Sequence, residues 1–161
     1  MNLAIRDALP QDAEAGCIVL QRSITELCAD HHKNDQAVLS RWLRNKTPDS
    51  FRAWIAQPGN SLLVAVVDDH VLAVGSVTDA GHITLNYVSP DVRFRGVSKA
   101  LLGALETRAM ERGCSACTLN STETARRFYR ANGYVEAEQP AGQFGASSGY
   151  PMSKLLSGRE T

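Results

Sequence analysis

Between Leu85 and Tyr134 the chain runs through an order of features that few folds accommodate. A strand-like stretch, Leu85-Asn86-Tyr87-Val88, is halted by Pro90, which has no N–H to give to a ladder. A basic turn, Arg93-Phe94-Arg95-Gly96-Val97-Ser98, then leads into the clearest helical pattern of the sequence, Gly96 to Arg112. Val97, Leu101, Leu105 and Ala109 fall on one side of it, and Gly113 marks its C-terminal stop. Ala116 to Leu119 reads as a short strand and Thr122 to Asn132 as a second helix, ended by Gly133. Strand, tight turn and helix start together make an anion site. The first backbone N–H groups of a helix have no partner, and the macrodipole adds about half a positive charge there. Gly96 permits a positive φ or a close approach of the anion to bare backbone, and Ser98 adds a hydrogen-bond donor.

Charge supports that reading. From Arg93 to Arg130 there are eight basic residues (Arg93, Arg95, Lys99, Arg108, Arg112, Arg126, Arg127, Arg130) against Glu106, Glu111 and Glu123. The segment carries +5 and the rest of a neutral chain −5. A pyrophosphate-bearing ligand at the head of the helix accounts for the excess. The plainer account is a solvated helix face, and it suits Arg108 and Arg112 better than the Arg93–Arg95 pair.

The flanking segments complete one α/β unit. Asn2 to Arg6 reads as a short strand. From Pro10, the apolar positions Ala13, Cys17, Leu20, Ile24, Leu27 and Cys28 step by three and four, as in an amphipathic helix. Pro10 suits a first helical position, whereas Leu9 before it offers no capping oxygen. Asn34 or Asp35 can cap a second helix carrying Leu39, Trp42 and Leu43, and Thr47-Pro48 opens a third that stops at Pro58-Gly59-Asn60. Ser61 to Val67 and Val71 to Val77 are strands joined by the turn Asp68-Asp69-His70. In the next strand, His82 to Val88, Ile83, Leu85 and Tyr87 alternate with His82, Thr84 and Asn86. Tyr134 to Glu138 and Tyr150 to Leu155 close the chain. The expectation is a single domain over residues 1–156 with a tail at 157–161: a mixed, largely antiparallel sheet flanked by helices.

Zero net charge, 17 basic against 17 acidic residues, removes the electrostatic case for a nucleic-acid or membrane-surface binder. No apolar run approaches the roughly 20 residues of a membrane span, and the start of the chain lacks the pattern of a signal peptide, so a cytoplasmic protein is expected. Cys114-x-x-Cys117 lacks a second ligand pair for zinc, and Cys117 is expected to point inward as a small hydrophobe. His31-His32 reads as polar loop, and no metal site is expected.

Tyr87-Val88-Ser89-Pro90, Arg93-x-x-Gly96-x-Ser98 and Leu101-Leu102 resemble the acetyl-CoA-binding motif of the GCN5-related N-acetyltransferases. Asn120 and Ala125-x-x-Phe128-Tyr129-x-x-x-Gly133-Tyr134 are similar to that family's second cofactor motif, and the hairpin before and Pro151-Met152-Ser153-Lys154-Leu155 after also fit. The resemblance implies the acyl-CoA N-acyltransferase fold and acetyl-CoA as co-substrate. Backbone groups around Tyr87 and Val88 would pair with the pantetheine arm where neighbouring strands splay. The turn Phe94, Arg95, Gly96, Val97, Ser98 and Lys99, with Arg93, would hold the pyrophosphate. Asn120, Ala125 and Phe128 would line the far wall, and Tyr129 would sit beside the thioester sulfur.

The chemistry so implied is direct attack of an amine on the thioester. It is helped by a neutral amine, an oxyanion donor such as the N–H near Val88, and an acid for the thiolate. A phenol, with a pKa of about 10, matches a CoA thiol. Some family members carry a glutamate on the strand matching Leu85–Val88. This chain has Asn86, which cannot take a proton but can hold a water. Asp68, Asp69, Glu26, His82 and water chains remain as candidate bases, with none preferred. The expected acceptor is a small-molecule or peptide amine, on a monomer or homodimer that binds no nucleic acid and no membrane. The helical region Pro10 to Gln57 would form one wall of its site. A non-catalytic acyl-CoA-binding module and an RNA-directed acetyltransferase of the toxin type are the alternatives.

Overall fold

The structure, a computed structural model, describes residues 2–27, 33–92, 96–136 and 149–156. Arg93, Phe94 and Arg95, like Cys28, His31 and His32, lie outside the described residues. The chain passes through β1 (Ala4–Asp7), a 3₁₀ turn (Pro10–Asp12), α1 (Ala13–Arg22) and a π-helical turn (Ser23–Leu27), then α2 (Gln36–Leu43) and α3 (Pro48–Ala56). There follow β2 (Asn60–Val67), β3 (His70–Thr78), β4 (His82–Val88), a 3₁₀ turn (Pro90–Val92) and α4 (Val97–Glu111). β5 (Ala116–Ser121), α5 (Arg126–Ala131), β6 (Val135–Glu136) and β7 (Tyr150–Leu155) complete it.

The seven strands form one sheet in the order β1-β2-β3-β4-β5-β7-β6, antiparallel throughout except between β4 and β5. The expected mixed, largely antiparallel sheet flanked by helices is what forms. The β2–β3 loop is two residues, shorter than expected: Asp68 (φ 49°) and Asp69 (φ 67°) make it, and His70 already pairs with Val67. Two consecutive positive φ values match the twist of the flanking strands, and aspartate tolerates them.

Alternation along β2 divides the core. Leu63 and Ala65 face α4, whose Val97, Leu101, Leu105 and Ala109 are all at most 1% exposed, as their spacing predicts. Leu62, Val64 and Val66 face α1 and α3, packing with Cys17, Leu20 and Phe51. Helix ends follow the sequence signals. The Asp35 carboxylate accepts from Ala37 N at 2.9 Å, and the Thr47 hydroxyl accepts from Ser50 N at 3.1 Å. The uncapped start at Leu9 is relieved from three residues on, where Asp12 accepts from Leu9 N at 2.7 Å and from Arg6 at 2.8 Å. The Arg6 guanidinium holds the Asp12 carboxyl below the usual range.

Three expected elements differ. The amphipathic stripe from Ala13 leaves α-helical geometry at Ser23 and widens into the π turn. The helix expected from Thr122 starts at Arg126, because the Thr122 hydroxyl accepts from Ala125 N at 3.2 Å and closes a turn instead. The strand expected from Tyr134 starts at Val135, and Tyr134 is core.

Strand β4 also departs from simple alternation. Ser76 pairs with Leu85 and Val77 with Ile83, so Thr84 is an extra residue, a β-bulge. It moves Ile83 to the α4 face while Leu85 and Tyr87 pack on the α1 face. The Thr84 and Ser76 hydroxyls hydrogen-bond across the bulge.

Candidate active site

The bulge sits where β4 and β5 part. These parallel strands pair only at His82–Thr118 and Ile83–Leu119, yet β4 continues to Val88 and β5 to Ser121. Beyond the last pair lies a cavity of about 320 Å³. Ser89 N donates to Leu72 O at 2.7 Å, and Val88 stands opposite Ala73. Neighbouring residues of an antiparallel strand aim their backbone groups to opposite sides, so the N–H and C=O of Val88 point into the opening.

The basic end of the cavity is the start of α4. Gly96, at φ 78°, is the residue before the helix, with no side-chain cap. The first intrahelical bond runs from Ala100 N to Gly96 O at 3.1 Å, which leaves the N–H groups of Val97, Ser98 and Lys99 ahead of it. A Cβ on Gly96 would meet nothing within 4 Å. The left-handed backbone therefore favours glycine here, and among the described residues no neighbour fills the space beside it. Gly96, Ser98 and Lys99 line the cavity, whereas the Val97 side chain is packed in the core at 1% exposure.

The opposite wall comes from β5 and α5. Asn120, Ala125, Phe128 and Tyr129 line the cavity together with Tyr87 and Val88. Tyr129 is 7% exposed, its ring set edge-on between Phe128 (5.2 Å between centroids) and Tyr134 (5.6 Å). Its hydroxyl accepts from Asn86 Nδ2 at 3.0 Å. Nine of the residues singled out from sequence thus surround one cavity. Ser23 and Leu27 of the π turn complete the wall on the α1 side, which fits the helical region forming part of the site.

The structure places the four candidate bases elsewhere. Asp68 and Asp69 are the tip of the β2–β3 hairpin, Glu26 is paired with Arg22 at 3.0 Å, and His82 Nδ1 meets Thr118 Oγ1 at 2.8 Å. Much of the positive excess is also accounted for. Arg108 binds Asp7 at 2.9 Å and Glu111 at 3.2 Å, and Arg112 lies 3.5 Å from Asp79. Arg126 and Arg130 share Glu136. Lys99 is the cation the cavity wall retains among the described residues.

Behind Tyr129 lies a polar cluster that the sequence reading missed. Tyr134 Oη donates to Glu106 Oε2 at 2.9 Å, and Lys154 Nζ donates to Glu106 Oε1 at 3.1 Å. Burial and the Glu106 charge push the Tyr134 phenol far up, so it stays protonated. Its members are 28 and 48 residues from Glu106, with no local signal to link them. Cys117 is fully buried, and burial raises its thiol to about 11, the behaviour of a small hydrophobe rather than a ligand or redox thiol. Cys114 Sγ donates to Asp79 O at 3.1 Å. Among the described residues no helix is long and apolar enough to cross a membrane.

Comparison with known proteins agrees with this architecture. A family model described as an acetyltransferase (GNAT) domain matches residues 28–156. No curated protein matches the chain in sequence. A crystal structure of a GCN5-related N-acetyltransferase from Rhodopseudomonas palustris superposes with a TM-score of 0.82 at 27% identity, covering 97% of each chain. The PaiA N-acetyltransferase of Thermoplasma acidophilum, solved in complex with coenzyme A, gives 0.82 at 17% identity over 97% of this chain and 100% of that one. An aminoglycoside 6'-N-acetyltransferase complexed with coenzyme A gives 0.67 at 13% identity, over 98% and 99%. With most of its length matched by the family model and its splayed β4–β5 pair opening beside an uncapped helix start, the chain belongs to the GNAT family of acetyltransferases.

Proposed function

We propose that the protein transfers the acetyl group of acetyl-CoA to a primary amine of a small molecule or peptide, by direct attack on the thioester. One observation carries this: Val88, the helix start at Gly96, Ser98 and Lys99, and Tyr129 all line the same opening between β4 and β5. The N–H groups at the start of α4 and Lys99 receive the pyrophosphate, by the partial charge of the helix end and by direct hydrogen bonds. The pantetheine arm lies along β4, pairing with the Val88 backbone. Asn120, Ala125 and Phe128 close the far side. Tyr87 packs its ring on the α1 face and stands opposite Val74 of β3, so Val88 rather than Tyr87 supplies the backbone of this edge.

The acceptor approaches from the side of Ser23 and Leu27 as a neutral amine. Its lone pair forms the N–C bond, the carbonyl oxygen becomes an oxyanion opposite the Val88 N–H, and the ammonium proton passes to water. Collapse breaks the C–S bond, the electron pair goes to sulfur, and Tyr129 supplies the proton that makes the free thiol. The phenol then regains its proton from solvent. A buried tyrosine on the cavity wall suits this role, since a positioned acid contributes about 10²–10⁴ in rate.

The test is thiol release from acetyl-CoA with the purified protein across amines, amino acids, polyamines, aminoglycosides and short peptides. The expected result is acceptor-dependent thiol release with one acetyl group gained by the acceptor. Cofactor binding without thiol release from any acceptor would favour a non-catalytic acyl-CoA-binding module. Acetylation confined to an aminoacylated RNA would favour the toxin type.

A further inference from the structure

We propose that Asn86 is a positioning residue for the acid: its side-chain amide holds the Tyr129 oxygen as a hydrogen-bond acceptor, directing the phenolic proton away from Asn86 and stabilising the phenolate when that proton leaves. The inference rests on the assignment of Tyr129 as the acid, and it assigns strand position 86 to the leaving group rather than to the amine.

Three observations place Asn86 there. The bulge at Thr84 resets the alternation of β4, so that Asn86 shares a face with Val88 and looks toward α5. Both Asn86 and Tyr129 line the cavity. Asn86 Nδ2 lies 3.0 Å from Tyr129 Oη. An amide NH₂ has no lone pair to offer, so in this contact the phenol can only accept, and its own proton must point elsewhere. A donor aimed at an oxygen that gains charge in the reaction binds the charged form more tightly than the neutral one, which lowers the barrier to proton transfer. The ring itself is set edge-on between Phe128 and Tyr134, and the Asn86 amide bears on the direction of the hydroxyl.

Asparagine at this position is then more than a residue unable to act as a base. Aspartate has nearly the same shape but donates nothing, and it would draw the phenolic proton toward itself. Asn86→Asp therefore separates the two roles, because a carboxylate that served the acceptor amine would raise turnover, and one that captured the phenol would lower it.

The experiment compares Asn86→Ala and Asn86→Asp, each in the parent and in the Tyr129→Phe background, with kcat, KM for both substrates and desulfo-CoA affinity measured for every variant. A hydrogen bond to a group that becomes charged corresponds to roughly a tenfold to hundredfold change in rate. Both single substitutions are expected to lower kcat by that much while the two KM values and desulfo-CoA affinity stay within about twofold of the parent. In the Tyr129→Phe background, where there is no proton to direct, both should be silent. Asn86→Asp at or above parental kcat overturns the proposal. So does a rise in acceptor KM with kcat kept, which would make Asn86 an acceptor contact, and so does a loss of the same size with and without the Tyr129 hydroxyl. If Tyr129→Phe is slow while both Asn86 variants match the parent, this inference fails and the acid assignment stands. If Tyr129→Phe itself turns over like the parent, both fail.

Discussion

The two faces of the sheet carry two kinds of information. On the α4 face, the proposed cofactor site is made of backbone: the parting of β4 from β5, the left-handed Gly96 and the open N–H groups of α4. Glycine, proline and short polar residues write such features into a sequence, and they were readable there. On the α1 face, the wall proposed for the acceptor is built of side chains, Ser23 and Leu27 from a π turn, and their residue types specify no particular amine. Cofactor recognition of this kind is legible because one backbone geometry serves one ligand. Acceptor recognition is not, because many side-chain sets can surround an amine.

The largest effect should come from the backbone-encoded side. Gly96→Val forces a β-branched residue to φ 78°, a strain of about 1–3 kcal/mol, or roughly tenfold to a hundredfold if it is relieved by turning the N–H groups away. Coenzyme A affinity should fall by that factor in a titration while the melting temperature changes little. Parental affinity would break the contrast, since the helix start would then not be the phosphate cradle.

The side-chain-built face should answer in stability instead. A Cβ on Gly16 would lie 2.4 Å and 2.7 Å from ring carbons of Phe51, within the α1–α3 contact. Gly16→Ala should destabilise by about 1–3 kcal/mol, lowering the melting temperature by several degrees with coenzyme A affinity kept. A variant as stable as the parent would mean that α1 and α3 are loosely packed.

The link from β1 to α1 should show in pH dependence. Arg6 lowers the folded pKa of Asp12 below its unfolded value of about 3.9, so this stabilisation is complete above the unfolded value and is lost as pH falls through the folded one. Asp12→Asn should cost about 1–3 kcal/mol at neutral pH, shrinking under acid, as measured by denaturant unfolding at several pH values. A difference independent of pH would remove the ion pair as its cause.

Smallest is Gly103→Ala on the outer side of α4, where a Cβ meets nothing within 4 Å. Helix propensity alone predicts a gain of about 0.5–1 kcal/mol, visible as a slight rise in melting temperature. A loss there would show that this surface is covered.

The elements that escaped the sequence have physical reasons to do so. Thr84 is neither glycine nor proline, and the apolar spacing of Ile83, Leu85 and Tyr87 continues across it. Only the pairing partners reveal that Ile83 faces the other way. The sequence places the start of α5 too early because Thr122 to Ala125 has no glycine or proline to break a helix, and the bond from Ala125 N to the Thr122 hydroxyl is a local contest that composition does not decide. The Glu106–Tyr134–Lys154 cluster joins a helix to two distant segments. By contrast, the inward Cys117 and the buried stripe of α4 needed only periodicity.

The central claim, that the opening between β4 and β5 presents a thioester to the Tyr129 hydroxyl, is tested most directly by Tyr129→Phe. The substitution keeps the ring between Phe128 and Tyr134 and removes one oxygen. Turnover with acetyl-CoA and the best acceptor, measured beside desulfo-CoA affinity, should show kcat lower by about 10²–10⁴ with affinity unchanged. Unchanged kcat, or a loss carried entirely by cofactor affinity, would contradict it.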